Sequence, residues 1–298
     1  MSFQNMPDLG PMFTPEGNAN AVWVLERAKE AATKCRVVFD IPYGEDFFQQ
    51  LDIWLPREEP ATNLPVLVYV HGGGWQKGHK EWNSLVAERI VEFPAILVSP
   101  NHRLAPSSKY PQQLADIFCA LKWVHDNIDR YKGDRNRIFL GGHSSGGHLA
   151  ALATMRTDLF ATYDLPADLI KACFPLSAPL DLRLEMCEPG GRRQKQLKLF
   201  LERDNQDREA SVTEHTAQAK VPMFLSWGSA DFVEVMEHNR LMVDRMAQNK
   251  TCVFEYYVQP GGTHNGTQNA WLDPHNPYVD KVLSWIANPP DSLTCSPI

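Results

Sequence analysis

The run Leu64 to Val70 (LPVLVYV) carries no charged or amide side chain from end to end. A strand with one face in water alternates apolar and polar residues. One this uniform must be covered on both faces, as in a parallel sheet wrapped by helices. Ala95 to Ser99 (AILVS) has the same character, and Arg137 to Leu140, Ile170 to Phe174, Val221 to Trp227 and Cys252 to Val258 continue the series. Leu51, Ile53 and Leu55 instead alternate with Gln50, Asp52 and Trp54, which predicts a half-buried strand near a sheet edge. Helical patterns fill the gaps. In the clearest, Leu114, Ile117, Phe118, Leu121, Val124 and Ile128 keep a 3.6-residue period behind Pro111. Others fall near residues 80–92, 145–157, 234–248 and 277–287. This alternation predicts an α/β fold with a mostly parallel central sheet of about eight strands and helices on both faces.

The 298 residues would allow two domains, but no linker interrupts the rhythm, so residues 1–298 are read as one. Two segments stand outside it. Residues 1–33 open with a Pro/Gly/Asn-rich stretch and continue into a helix over Ala21 to Ala32; residues 182–216 are polar and charged. Both are expected to form a small cap. With 29 basic against 36 acidic residues the net charge is −7, and no basic run offers a footprint for nucleic acid. The chain start lacks a secretory pattern and no 18-residue apolar run occurs, so a cytoplasmic protein with no membrane partner is expected. Six scattered cysteines without a CxxC pair read as free thiols.

The most informative segment is Arg137 to Thr154, a strand, then Gly142-His-Ser-Ser-Gly146, then a helix. A G-x-S-x-G turn in this setting holds its serine in a strained conformation at the strand end, with near-absent side chains where strand and helix approach. Centring on Ser144 puts glycines at both flanks, whereas centring on Ser145 puts His143 at one of them. Ser144 is therefore the nucleophile candidate. His71-Gly-Gly-Gly-Trp75 ends the strand Leu64–Val70, and its glycines let backbone amides reach a substrate oxygen. The amides of Gly73, Gly74 and Ser145 are the candidate oxyanion hole. Trp75 and His143, beside these elements, are candidate substrate-binding residues.

A serine hydroxyl needs a base, and the base needs a carboxylate to hold its tautomer. In such a sheet the expected chain order is Ser, then Asp or Glu, then His. His264, in the glycine-rich loop after Cys252 to Val258, is the candidate base, with His275 in reserve. Asp231, after Val221 to Trp227, is the candidate acid, with Glu234 as the alternative. His148 lies one helical turn past the nucleophile, His215 in the polar insert and His238 on a helix.

Together these motifs resemble the α/β-hydrolase fold superfamily, in its esterase/lipase branch that includes hormone-sensitive-lipase-like esterases. The resemblance covers roughly residues 35–287. His71 to Trp75 looks like that branch's oxyanion motif, and Arg103-Leu-Ala-Pro106 is similar to a family segment ahead of the long helix. Asn101-His102 and Ser107 depart from the usual residues around that segment, and the elbow reads GHSSGGH where those esterases usually have GDSAGG. His143 and the His148-Leu-Ala150 continuation look more like arylformamidases, which usually carry tyrosine where Gly74 stands. The resemblance implies a serine hydrolase that cleaves a carboxylic ester of a small or aromatic substrate through an acyl-enzyme. Its alternative is an arylformamidase acting on an amide of the N-formylkynurenine type. A lyase or cyclase, or a non-catalytic binder, remains on this fold. The chemistry requires neither metal nor organic cofactor.

Overall fold

The computed structural model describes residues 6–58, 62–248, 253–290 and 295–297. The chain begins with α1 (Pro15–Lys34), β1 (Arg36–Pro42), β2 (Gln50–Leu55), β3 (Leu64–Val70), α2 (Ser84–Glu92) and β4 (Ile96–Pro100). It continues with α3 (Gln112–Asn127), β5 (Gly133–His143), α4 (Ser145–Met155), β6 (Ile170–Leu176) and α5 (Arg192–Phe200). The last part holds β7 (Met223–Gly228), α6 (Val233–Met246), β8 (Phe254–Gln259), α7 (His264–Asn269), α8 (Pro277–Ala287) and β9 (Cys295–Pro297). Cys252, expected to open β8, lies outside the described residues.

The strands form one sheet in the order β1-β2-β4-β3-β5-β6-β7-β8-β9. β2 runs antiparallel to both β1 and β4, and the remaining neighbours are parallel. This is the α/β-hydrolase fold. The continuous apolar runs divide their residues between two cores because successive side chains point to opposite faces. Val66, Val68 and Val70 of β3 join α3, α4 and α6 residues such as Leu114, Leu149 and Met242. Leu67 and Tyr69 join Val86, Ile90, Val282 and Ile286 of α2 and α8 on the other face. Among the described residues, no helix is long and apolar enough to cross a membrane.

Two expectations change, and one strand is added. β1 was not legible beforehand; it forms the edge itself, and β2, expected near an edge, lies next to it. β2 is consequently buried on both faces, with Asp52 and Trp54 each 0% exposed. Trp54 packs with Leu67 and Leu97, and Phe39 of β1 meets it edge-on at 6.1 Å. The first helix also starts six residues earlier than Ala21, at Pro15, where the Thr14 hydroxyl caps it by accepting the Gly17 amide at 3.0 Å.

Asp52 is tolerated there because Lys80, itself 2% exposed, reaches it. The Lys80 ammonium lies 3.0 Å from Asp52, 2.8 Å from Asp40 and 2.7 Å from Glu81. Burial nevertheless pushes the Asp52 carboxyl up to about 7 against the pull of Lys80. Because that value is above the usual carboxylate range, Asp52 favours the folded state in acid, and this contribution is lost as pH rises towards 7. Lys80→Met removes the cation from Asp52 and Glu81, which stay buried, a loss of about 3–5 kcal/mol. Thermal unfolding followed by circular dichroism should show a lowered Tm, with a larger deficit at pH 8 than at pH 5, where protons replace the missing cation.

Candidate active site

The strand order reverses between β3 and β5, since β4 lies on the far side of β3 and β6 on the far side of β5. Turns leaving the C-terminal ends of adjacent parallel strands diverge at such a point and leave a crevice. Both glycine-rich turns open there. Val70 at the end of β3 is registered with Gly142 near the end of β5.

Ser144 joins β5 to α4 with φ 54° and ψ −126°, a conformation that costs a residue with a Cβ of order 1–3 kcal/mol. Its amide donates to Leu176 O at 2.9 Å. The turn closes because its flanks lack side chains: a Cβ on Gly146 would stand 2.2 Å from Val70 O and 2.3 Å from His71 O. The constraint that picked out Ser144 over Ser145 is thus a backbone contact between the two motifs.

His264 brings its Nε2 to 2.9 Å from Ser144 Oγ, and its Nδ1 to 2.7 Å from Asp231 Oδ1. The acceptor carboxylate places the imidazole proton on Nδ1 and leaves Nε2 free to accept from the serine hydroxyl. Burial pushes the Asp231 carboxyl up, but the hydrogen bond and charge of His264 and the Phe232 amide outweigh it, so it sits below its ordinary value. It remains an anion facing the imidazole. The reserve candidates go elsewhere: Glu234 lies 3.5 Å from Arg192, and His275 is exposed.

His264 was expected in a loop and is instead the first residue of α7, a short helix capped by Thr263. Its carbonyl accepts from His143 Nε2 at 2.8 Å and from the Thr267 hydroxyl at 2.9 Å. Ser177 Oγ in turn lies 2.8 Å from Thr267 Oγ1. The Phe232 ring packs against the imidazole at 4.5 Å. His143 lines the cleft as expected of a substrate contact, yet its hydrogen bond goes to the backbone of the base. Burial lowers its pKa to about 3, which keeps it neutral beside His264.

The turn after β3 places Gly73 at φ 125° and Gly74 at φ 62°. Both glycines line the cleft together with Ser145, the first residue of α4, where helix geometry leaves N–H groups without partners and the dipole favours negative charge. Trp75, next in line, has φ 61° and is fully buried while lining the cleft. It stacks on Phe200 at 4.4 Å, and its indole N–H donates to His148 Nδ1 at 3.2 Å. His148 Nε2 donates to Ala210 O at 2.7 Å, so this histidine serves Trp75 rather than the nucleophile. The Arg103–Pro106 segment supports the same turn through an Ala105 amide donated to Trp75 O at 2.8 Å. His102 stacks on His71 at 4.6 Å, and Arg103 pairs with Asp116 at 2.6 Å.

Above Ser144 lies a cleft of about 110 Å³. Met12 and Phe13 from the N-terminal segment, and Arg193 and Gln196 from α5, form part of its walls. Sequence reasoning missed Thr267 and Ser177, which brace the base, and the individual wall residues. Thr267 carried a weak signal as the hydroxyl one helical turn beyond His264; Phe13 and Arg193 carried none, because they come from segments with no strand rhythm.

A family model described as BD-FAE matches residues 51–246. The chain is 28% identical over 240 residues to Esterase LipC of Mycobacterium tuberculosis, covering 74% of this chain and 58% of that one. Over 91 residues it is 44% identical to Carboxylesterase NlhH of the same organism, 30% of this chain and 28% of that one. It therefore spans little more than half of the first relative's length, and less of the second's. The crystal structure of Esterase B from Lactobacillus rhamnosis superposes with a TM-score of 0.74 at 17% identity, covering 90% of this chain and 91% of that one. At that identity the likeness is one of fold.

The Gly146 contact gives a direct test. Gly146→Ala forces α4 away from the carbonyls of Val70 and His71 and separates the two turns. Differential scanning calorimetry should show a Tm lower by several degrees, as for other overpacked cores. Labelling of Ser144 by a fluorophosphonate probe should fall with it.

Proposed function

The chain belongs to the BD-FAE family, and on that footing we propose that it is a serine carboxylesterase acting on a small or aromatic ester. The observation that carries this reading is the unbroken hydrogen-bonded line Ser144 Oγ, His264 Nε2, His264 Nδ1 and Asp231 Oδ1, with steps of 2.9 and 2.7 Å, at the floor of a cleft. The esterase names of its relatives and the common fold support it.

In the first step His264 takes the Ser144 proton as Oγ attacks the ester carbonyl. The carbonyl oxygen becomes negative and is held by the amides of Gly73, Gly74 and Ser145, each worth about 3 kcal/mol of barrier in comparable sites. Asp231 stabilises the imidazolium formed. His264 then protonates the departing alcohol. In the second step water, deprotonated by the same imidazole, attacks the acyl-enzyme and releases the acid. Thr267 and His143 hold the His264 backbone, so the ring serves both steps from one position. The segments 1–33 and 182–216 act as cap elements through Phe13, Arg193 and Gln196, and Trp75 supports the wall they share.

The test is a panel of 4-nitrophenyl esters of graded acyl length, beside N-formylkynurenine, read on wild type and Ser144→Ala. Ester hydrolysis should fall about a thousandfold or more in Ser144→Ala, and comparably in Asp231→Asn, with fluorophosphonate labelling lost in the first. Full activity in Ser144→Ala would sink the assignment. Faster turnover of N-formylkynurenine than of every ester would replace it with the formamidase reading.

A further inference from the structure

Two arginines of α5 stand at the cleft, and they are treated differently. Arg192 is exposed, lies 3.5 Å from the Glu234 carboxylate and sits over the Phe232 ring at 5.5 Å. Arg193 sits over the Trp75 ring at 5.2 Å and spends one Nη on Gln196 Oε1 at 3.2 Å. Its Nε and its other Nη are shut off from solvent and make no hydrogen bond. Among the described residues it pairs with no carboxylate. Burial pushes its pKa down to about 10, which leaves it a full cation at neutral pH.

A guanidinium without a carboxylate partner, two of whose nitrogens are held out of water, is costly, and a fold retains one where something supplies the missing acceptor. The two idle nitrogens, Nε and an Nη, belong to the part of the group that meets both oxygens of a carboxylate at once. Arg193 lines the cleft, and as its side chain stands neither nitrogen faces the open space, so engaging a ligand there takes a turn about the terminal torsions. The direction of the cleft can also be assigned. The leaving alcohol has to face His264, whose ring packs against Phe232 beneath Arg192. The Trp75 and Arg193 side is left for the acyl chain.

Resting on the esterase reading, we propose that Arg193 is a specificity-determining residue that binds a carboxylate on the acyl group, so that the preferred substrates are monoesters of short dicarboxylic acids. No other charged group of the walls replaces it: Arg192 is paired with Glu234, and Gln196 is neutral.

The experiment compares kcat/KM for 4-nitrophenyl hemiglutarate with that for 4-nitrophenyl butyrate, which is neutral. Acetyl esters of 4-hydroxybenzoate and of phenol form a second pair, with the carboxylate moved to the leaving group. Wild type should favour hemiglutarate, and Arg193→Gln should lower the hemiglutarate-to-butyrate ratio about tenfold or more, the worth of a hydrogen bond between charged groups. Because a ratio is read, any general loss in the variant cancels. Lys198→Gln, which removes an exposed charge from the same helix, should leave the ratio as in wild type. An unchanged ratio in Arg193→Gln, or an equal drop in Lys198→Gln, overturns the proposal. So does an Arg193-dependent preference confined to the second pair. Ser144-dependent butyrate hydrolysis without preference for hemiglutarate overturns this proposal and leaves the esterase reading standing. No hydrolysis of any of the four esters overturns both.

Discussion

Backbone contact between Gly146 and the carbonyls of Val70 and His71 sets the spacing of everything that follows. It presses the turn after β5 onto the end of β3, closer than any side chain would allow. Gly72 is drawn in as well: a Cβ there would lie 3.1 Å from the Ser144 Cβ. Ser144 and the glycine-rich turn after β3 are thereby fixed by strand pairing and by missing atoms. Neither depends on a flexible side chain. β7 and β8 then need only deliver a carboxylate and an imidazole from the same edge, which Asp231 and His264 do.

Histidines crowd this region, and burial keeps those around the base uncharged. His143 and His148 are both pushed down to about 3, and His71 lies well below its ordinary value, with desolvation the main cause in each. On the esterase reading, a cationic His143 in contact with His264 would oppose the imidazolium formed during turnover. Neutral, it donates a hydrogen bond to the His264 carbonyl and acts as a brace.

How much of this could be read in the residues depended on whether a feature was local. β3 and β4 were legible because seven and five consecutive buried positions leave continuous apolar runs. Ser144, Asp231 and His264 were legible because residue type, chain order and strand-end placement coincide. β1 was hidden, since Arg36-Val-Val-Phe-Asp-Ile-Pro42 mixes charge and proline as an edge strand does. The depth of β2 was hidden for another reason. Asp52 looked like a solvent position, and its partner Lys80 is 28 residues away, where no periodicity connects them. The cleft walls were located as segments but not as residues, because Phe13 and Arg193 take their roles from where distant elements pack.

Trp75 carries one more implication. A bulky residue at φ 61° is unfavourable by about 1–2 kcal/mol, and here the indole is held by its stack on Phe200 and its bond to His148. Phe200 belongs to α5, the helix that also supplies Arg193 and Gln196. The piece of chain that forms part of the cleft wall is thus also the clamp on the glycine-rich turn after β3. On the esterase reading, redesigning α5 to admit a different acyl group would also loosen that clamp, which couples selectivity mechanically to turnover.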